Sequence, residues 1–375
     1  MTQAKSDQHA SPLSPAANVD ERAWIRDAHS VVSDLMRHRP VVYWVDLLAS
    51  AALAWGATVV YFLAEPVSGW QLIGLVLASI GFYRAGTFMH EIIHMPSGVL
   101  MNFRRAWNVL IGVPLMMPWI LYKNHIGHHS RAHFGTPADG EYLPLASAPL
   151  RETLLYLVKL PILPLMVLAR FAIAAPLSWV IPPLREWLLT RASAYASNPY
   201  YAKRFPKRDE RHLVIVEVAC LTWILFWIAM TWFGPVEAIH WLMAWVLHAA
   251  TLGINWVRNL AAHRYDNHGE PLSHLAQLQD AVNITGQTWL TVWLFPVGLR
   301  YHALHHLFPG LPYHSMGEAH RRLMARFGED SPYASANHPS FFQVVGALLR
   351  GARRTRPDQS AIAAWRRAGR PETSG

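Results

Sequence analysis

The sequence predicts an all-α, multi-pass membrane protein with four transmembrane helices. Three observations carry that expectation. There are four apolar runs of bilayer length, the charge is sparse and unevenly placed, and histidine clusters follow apolar segments. Hydrophobic residues make up 52% of the 375 residues and charged residues only 15%, against roughly 25% charged in ordinary soluble domains.

The first run, 41–64, is long enough to cross the roughly 30 Å hydrocarbon core, and the second, 70–89, returns after the short turn Glu65–Gly69. Arg84, near the end of the second run, can snorkel to the interface. A second pair repeats the plan: 213–233, a turn at 234–237, and a return over 236–257. Neither turn contains Lys or Arg, whereas the N-terminal segment and the stretch Lys203–Arg211 are rich in them. By the positive-inside rule the turns face outward and both termini are cytoplasmic. Three further apolar segments, 106–122, 154–183 and 288–298, begin and end beside cytoplasmic charge and read as interfacial or re-entrant helices. Residues 1–40 read as a polar cytoplasmic tail, 41–325 as the membrane domain and 326–375 as a basic cytoplasmic tail. The first 40 residues lack the pattern of a cleaved signal peptide, so the first span is expected to act as an uncleaved anchor.

The formal net charge of +9 fits anionic lipid and membrane topology. Nucleic acid is not an expected partner, because the aromatics do not interleave with Arg as in a binding groove. Cys220 is the single cysteine and lies in an apolar run. Disulfides, zinc ribbons and cysteine-held iron–sulfur clusters within the chain are thereby excluded, and any electrons must arrive from another molecule. No feature of the pattern sets an oligomeric state.

The chemistry is concentrated in histidine. His90-Glu-Ile-Ile-His94, His125-Ile-Gly-His128-His129 and His302-Ala-Leu-His305-His306 place imidazoles three and four residues apart, the spacing that shares a helix face or its neighbour. Crowded imidazoles resist protonation, and neutral imidazoles are metal ligands. A triplet spaced i, i+3, i+4 suits two nearby metals better than one, because its adjacent rings diverge by about 100°. Asn259-Leu-Ala-Ala-His263 follows the fourth run much as the first box follows the second. Nine histidines converging on one membrane face would supply four or five nitrogens to each of two metals. Imidazole alone does not choose among iron, copper, nickel and zinc.

Other chemistries fit less of the pattern. His90–His94 with Glu91 matches the zinc-protease motif, but that reading leaves both triplets unexplained. A carboxylate-bridged bundle needs two Glu-x-x-His pairs. Glu91…His94 and Glu237…His240 have the spacing, yet the expected topology separates them across the membrane. A metal transporter would hold its ligands within the spans. Glu217 and His248 lie there, but the clusters do not.

The three boxes, their order and their positions after spans two and four resemble the integral-membrane fatty acid desaturase family. The resemblance covers roughly residues 41–325 and extends to His305-His306-Leu307-Phe308-Pro309-Gly310-Leu311-Pro312-Tyr313-His314. It implies a four-span fold with a cytoplasmic helical cap and two irons held by His90, His94, His125, His128, His129, His263, His302, His305 and His306. Asn259 would hold a water near one iron. His133 is a further ligand candidate or a neighbour of the ligands. Asp139, Glu141, Asp266 and Asp280 are candidates to orient the imidazoles through their second nitrogens. The implied reaction is oxygen-dependent desaturation of a fatty acyl chain carried as a lipid, acyl-CoA or acyl carrier protein. Molecular oxygen is the co-substrate, and the external electron donor is of the ferredoxin or b-type cytochrome kind. A fused haem domain is not expected, because no HPGG motif is present. The same site in a hydroxylase or ketolase acting on an alkane, sterol, sphingolipid or carotenoid would return oxygen to the carbon, and histidine spacing does not separate the outcomes. The Arg-rich composition points to a bacterial inner membrane.

Overall fold

The structure is a computed structural model that describes residues 20–194 and 197–369. In chain order its helices are α1 (Glu21–Val32), α2 (Pro40–Leu63), α3 (Gly69–His94), α4 (Met101–Trp107), α5 (His125–His128), α6 (Leu150–Val158), α7 (Leu163–Ala169), α8 (Ala175–Val180), α9 (Pro182–Arg191), α10 (Glu210–Phe233), α11 (Ala238–Asn259), α12 (His274–Asp280), α13 (Thr288–Leu294), α14 (His302–Leu307), α15 (Met316–Phe327), α16 (Phe341–Arg354) and α17 (Ile362–Ala368). Two-residue strands, β1 (Asn283–Ile284) and β2 (Asn337–His338), pair in parallel. The all-helical expectation holds apart from this small tie.

Among the described residues, four helical stretches are long and apolar enough to cross a membrane: Pro40–Leu63, Gly69–His94, Leu163–Val180 and Lys207–Phe233. Three of them contain the expected first, second and third spans. The fourth expected span folds as the 22-residue helix α11 but is not among the four. It is long enough, and His240, His248, Asn255, Arg258 and several tryptophans dilute its hydropathy.

The segment 154–183, expected to be interfacial or re-entrant, contains one continuous helical stretch, Leu163–Val180, of 18 residues. A π turn at Arg170–Ala174 precedes Pro176. The longer hydrogen-bond register of that turn accommodates the proline's missing N–H. Arg170 is balanced by Glu217 of α10 at 2.8 Å, and Glu217 also accepts from Arg185 at 2.8 Å. The 106–122 segment breaks into α4, a π turn over Asn108–Gly112 and a 3-10 turn at Trp119–Tyr122. The third expected interfacial segment contains α13, seven residues with Trp289, Val292 and Trp293 exposed.

Helices α2 and α3 lie closest together. A Cβ on Gly74 would stand 2.6 Å from the Tyr61 backbone nitrogen, and one on Gly81 would stand 2.8 Å from Ala54 Cα. Small residues at such positions let two membrane helices approach and gain dispersion contact. Arg84 does not snorkel freely but grips Asp46 of α2 through two hydrogen bonds, at 2.9 and 2.6 Å. At 26 residues, α3 is about 39 Å long. That exceeds the hydrocarbon core, so its last turns emerge at the membrane face.

The cap sits against that end. One part packs Ala28 and Val32 of α1 with Leu278, Leu304, Ala319 and Leu323. A second part packs Phe134 and Tyr142 with Leu348, Ile362 and Trp365. Residues 20–36 and 327–369 of the expected tails pack largely into the cap, and residues 1–19 of the first lie outside the described residues. The apolar positions Phe341, Val344, Leu348 and Ala352 bury one stripe of α16, and the fully buried Trp365 donates to the Tyr142 carbonyl at 3.0 Å.

Gly81→Ala is expected to cost about 1–3 kcal/mol through overpacking against α2. Gly86→Ala, where a Cβ meets nothing within 4 Å, should be neutral or slightly stabilising. Thermal unfolding of the purified protein in detergent checks this, and equal midpoints for the two variants would refute the tight α2–α3 approach.

Candidate metal centre

The last turn of α3 presents His90 and His94 side by side, four residues apart on one face. The single turn α5 and its C-terminal neighbour present His125, His128 and His129. Helix α14, six residues long, presents His302, His305 and His306. His263 is not helical; it lies just past α11 in an antiparallel bridge to Ala281. All nine side chains converge at the join of spans and cap.

The convergence divides in two. His90, His94, His125, His129 and His305 form one group, and His128, His263, His302 and His306 form the other. Within each group one nitrogen per ring lies within 4.8 Å of all the others. Each triplet splits as its spacing requires: His125 and His129 go one way and His128 the other, while His302 and His306 go one way and His305 the other. The groups abut, with the His129 and His306 rings 4.3 Å apart.

Hydrogen bonding shows what the groups are built to hold. His128 Nδ1 meets Asp139 at 2.8 Å, His263 Nδ1 meets Asp280 at 3.1 Å and His125 Nδ1 meets Glu141 at 2.8 Å. A neutral imidazole has one N–H, and here Nδ1 gives it to the carboxylate. The Nε2 lone pairs of His128 and His263 then face each other at 3.2 Å. His129 Nε2 stands 3.0 Å from Nε2 of both His125 and His305, and His302 Nε2 stands 3.0 Å from that of His263. At His128–His263, where both Nδ1 protons are committed to carboxylates, facing lone pairs repel unless a proton or metal cation lies between them. Two imidazoles on one metal at about 2.0–2.1 Å would have nitrogens about 2.9–3.4 Å apart, the spacing seen. The buried Nε2 atoms of His90 and His94, and both ring nitrogens of His306, have no hydrogen-bond partner, which is costly without a ligand. The residues fit a pair of metal ions.

Burial, reinforced by neighbouring imidazoles, holds His129, His263, His302, His305 and His306 well below the usual imidazole value. They are neutral at pH 7, the ligand form. Burial also pulls His128 down, but Asp139, Glu141 and Asp280 outweigh it and raise the ring above its ordinary value. Negative charge that would keep a proton on His128 equally favours a cation at its Nε2. Burial pushes the Asp280 carboxyl up to about 7. Glu141 is pushed up by burial but pulled further down by His125, His128 and Tyr122.

Of the expected orienting carboxylates, Asp139, Glu141 and Asp280 reach their imidazoles. Asp266 does not: it turns to Arg264 at 3.6 Å. His133 bonds Ser130 at 2.8 Å and belongs to neither group. The Asn259 amide donates to Tyr156 Oη at 3.2 Å. Glu91 is buried and accepts from Tyr43 Oη and the Tyr313 backbone N–H. So engaged, it ties α2, α3 and the segment after the third box, and it has no place as the base of a protease.

Residues outside the expected set complete the site. Tyr122 stacks on His125 and donates to Glu141 at 2.9 Å. Tyr142 donates to Asp280 at 2.9 Å. Phe134 packs on His128, His263 and His306. Tyr122 stands three residues before His125, and that spacing was its sequence signal.

Fold and site together define a helical membrane oxidoreductase with paired histidine clusters. The Fatty acid desaturase family matches residues 66–337, and the chain belongs to that family, whose members are histidine-ligated di-iron enzymes. The chain is 39% identical over 333 residues to "Ceramide hydroxylase" of Caulobacter vibrioides (strain NA1000 / CB15N), covering 88% of this chain and 93% of that protein. No solved structure matches.

Asp139→Asn is expected to weaken metal binding about 10–100-fold, and Asp266→Asn to leave it unchanged. Titration of the metal-free protein with ferrous ion checks this. Equal effects would mean that the Asp139–His128 contact does not tune the site.

Proposed function

We propose that this enzyme hydroxylates a ceramide-type lipid. The observation that carries the reading is the pair of metal-fitting histidine groups at the emergent end of α3. The similarity to a ceramide hydroxylase over most of both chains favours return of oxygen to carbon over the desaturation expected from sequence. In balance, one C–H bond, O₂, two electrons and two protons give one C–OH and one water.

His90, His94, His125, His129 and His305 would hold one iron and His128, His263, His302 and His306 the other; bound there, the pair supplies activation of dioxygen. The protein's own work is placement and exclusion. Asp139, Glu141 and Asp280 fix ring orientation and keep Nε2 free, while Phe134 and the cap exclude water. An apolar groove of about 380 Å³, lined by Leu75, Val76, Ile80, Ala250, Ile254 and Trp293 among others, lies between α3, α11 and α13. It offers a lipid chain a lateral approach from the bilayer. Holding the chain there turns a random encounter into an oriented one. Electrons come from an external one-electron carrier of the ferredoxin or b-type cytochrome kind. The site lies on the cytoplasmic side of a bacterial inner membrane, with both termini on that side.

Lipid extracts of a ceramide-producing host expressing the chain should contain ceramides one oxygen atom heavier than their precursors. Products two hydrogen atoms lighter would instead establish desaturation, and no change in any ceramide would remove the substrate assignment. Single cysteines at Val67 and Asp358, both exposed, should label from opposite sides of the membrane with an impermeant thiol reagent. Labelling of both from outside would overturn the topology.

A further inference from the structure

The groove leads toward an unusual group. Its α3 wall includes Val76, Ser79 and Ile80, its α11 wall Ala250 and Ile254, and its third wall Leu290, Trp293 and Leu294. One helical turn beyond Ile254, on the same side of α11, stands Arg258. One turn beyond Ser79 stands Tyr83, which donates to the Leu294 carbonyl at 2.8 Å and interacts with Arg258. Seven residues beyond Tyr83, about 10 Å along the helix, is His90. Arg258 thus lies past the groove, near the end of α11 that leads to His263.

Its own bonding is incomplete. Arg258 is 8% exposed. It donates to Asn255 Oδ1 at 2.7 Å and is engaged with the Tyr83 hydroxyl, while its buried Nε has no partner. No carboxylate among the described residues forms an ion pair with it. A guanidinium carries five donors and stays charged, so burying one with donors unused is costly. The cost is offset if a ligand supplies an acceptor. Beside mid-chain methylenes no acceptor would be available.

We propose that Arg258 binds the amide carbonyl of the ceramide-type substrate, so that the oxidised carbon lies close to the amide and not in the outer part of a chain. This rests on the lipid-hydroxylase reading above, and it names how that site chooses its carbon. The groove takes the apolar chain, Arg258 takes the carbonyl oxygen, and the histidine groups face the carbons near it.

The test uses full-length protein in lipid nanodiscs. It compares binding of a ceramide with binding of a neutral ether analogue that lacks the carbonyl, and locates the product hydroxyl by fragmentation mass spectrometry. Wild type should prefer the ceramide by about tenfold or more, as expected of a hydrogen bond from a charged donor. Its hydroxyl should lie on the amide side of the chain midpoint. Arg258→Met should lose that preference by weakening ceramide binding alone, with bound iron and analogue binding unchanged, and Arg258→Lys should recover part of it. Equal binding of ceramide and analogue by wild type, or a hydroxyl beyond the midpoint, would overturn the proposal even if Arg258→Met does not fold. A wild type that binds with the stated preference but forms no oxygenated lipid would overturn the hydroxylase reading and leave the carbonyl contact standing.

Discussion

Repulsion between facing imidazole lone pairs is the constraint around which the site is organised. His128 and His263 direct Nε2 atoms at each other from 3.2 Å because carboxylates hold their Nδ1 protons. Without a cation, each group of converging nitrogens would be better served by water or by rotation of the rings. Rotation is resisted by the second row: Asp139 also accepts from the Gly135 and Glu141 backbone N–H groups at 3.0 and 2.9 Å. Asp280 is similarly fixed by Tyr142. The protein holds its ligands in a geometry that is unfavourable until a metal fills it, which is preorganisation in physical terms.

That geometry depends on elements far apart in the chain. His90 and His94 are delivered by α3, whose position is set by the glycine-lined approach to α2 and by the Asp46–Arg84 pair. The third box is tied to the same helices through the segment that follows it. Tyr313 donates its N–H to Glu91 and its hydroxyl to Asp46 at 2.9 Å. The Trp365 indole anchors the carbonyl of Tyr142, whose own hydroxyl holds Asp280. The C-terminal helices therefore support His263 through two intermediates. A displaced α2 or α17 reaches the metal ligands along identifiable contacts.

Much of this was legible in the sequence where local spacing carried the information. The triplets announced two diverging sets of rings, and Asp139 and Glu141 lie within one loop of the imidazoles they orient. Asp280 required a longer guess, 17 residues from His263, and Asp266 had the same standing without the contact. Proximity along the chain does not say which way a loop turns. The C-terminal segment was misread because its Arg-rich composition masked a helical stripe, Phe341, Val344, Leu348 and Ala352, that needed a buried face. The length of the Leu163–Val180 helix was hidden for the opposite reason. Its Arg170 and prolines counted against a long helix, while their remedies, Glu217 and a π turn, lie outside the local pattern.

The locally unfavourable residues gather where spans meet cap. Asp280 is buried with a raised carboxyl pKa, several imidazoles keep unpartnered nitrogens, and Arg258 keeps a buried guanidinium without a carboxylate. Glu217, by contrast, is buried among its own cations, Arg170 and Arg185, so its charge is met within the chain. The difference lies in counter-charge: Arg170 keeps one unpartnered nitrogen too, but it faces a carboxylate and Arg258 faces none. Where the chain supplies the counter-charge, as Glu217 does for Arg170 and Arg185, the cluster supports the fold. Where counter-charge or acceptors are withheld near the histidine groups, the proposed metal and substrate would supply them. The kind of partner withheld, a cation at the imidazoles and an acceptor oxygen at Arg258, fits the proposed polar lipid beside a metal pair. A hydrocarbon chain alone would leave the arginine unmet.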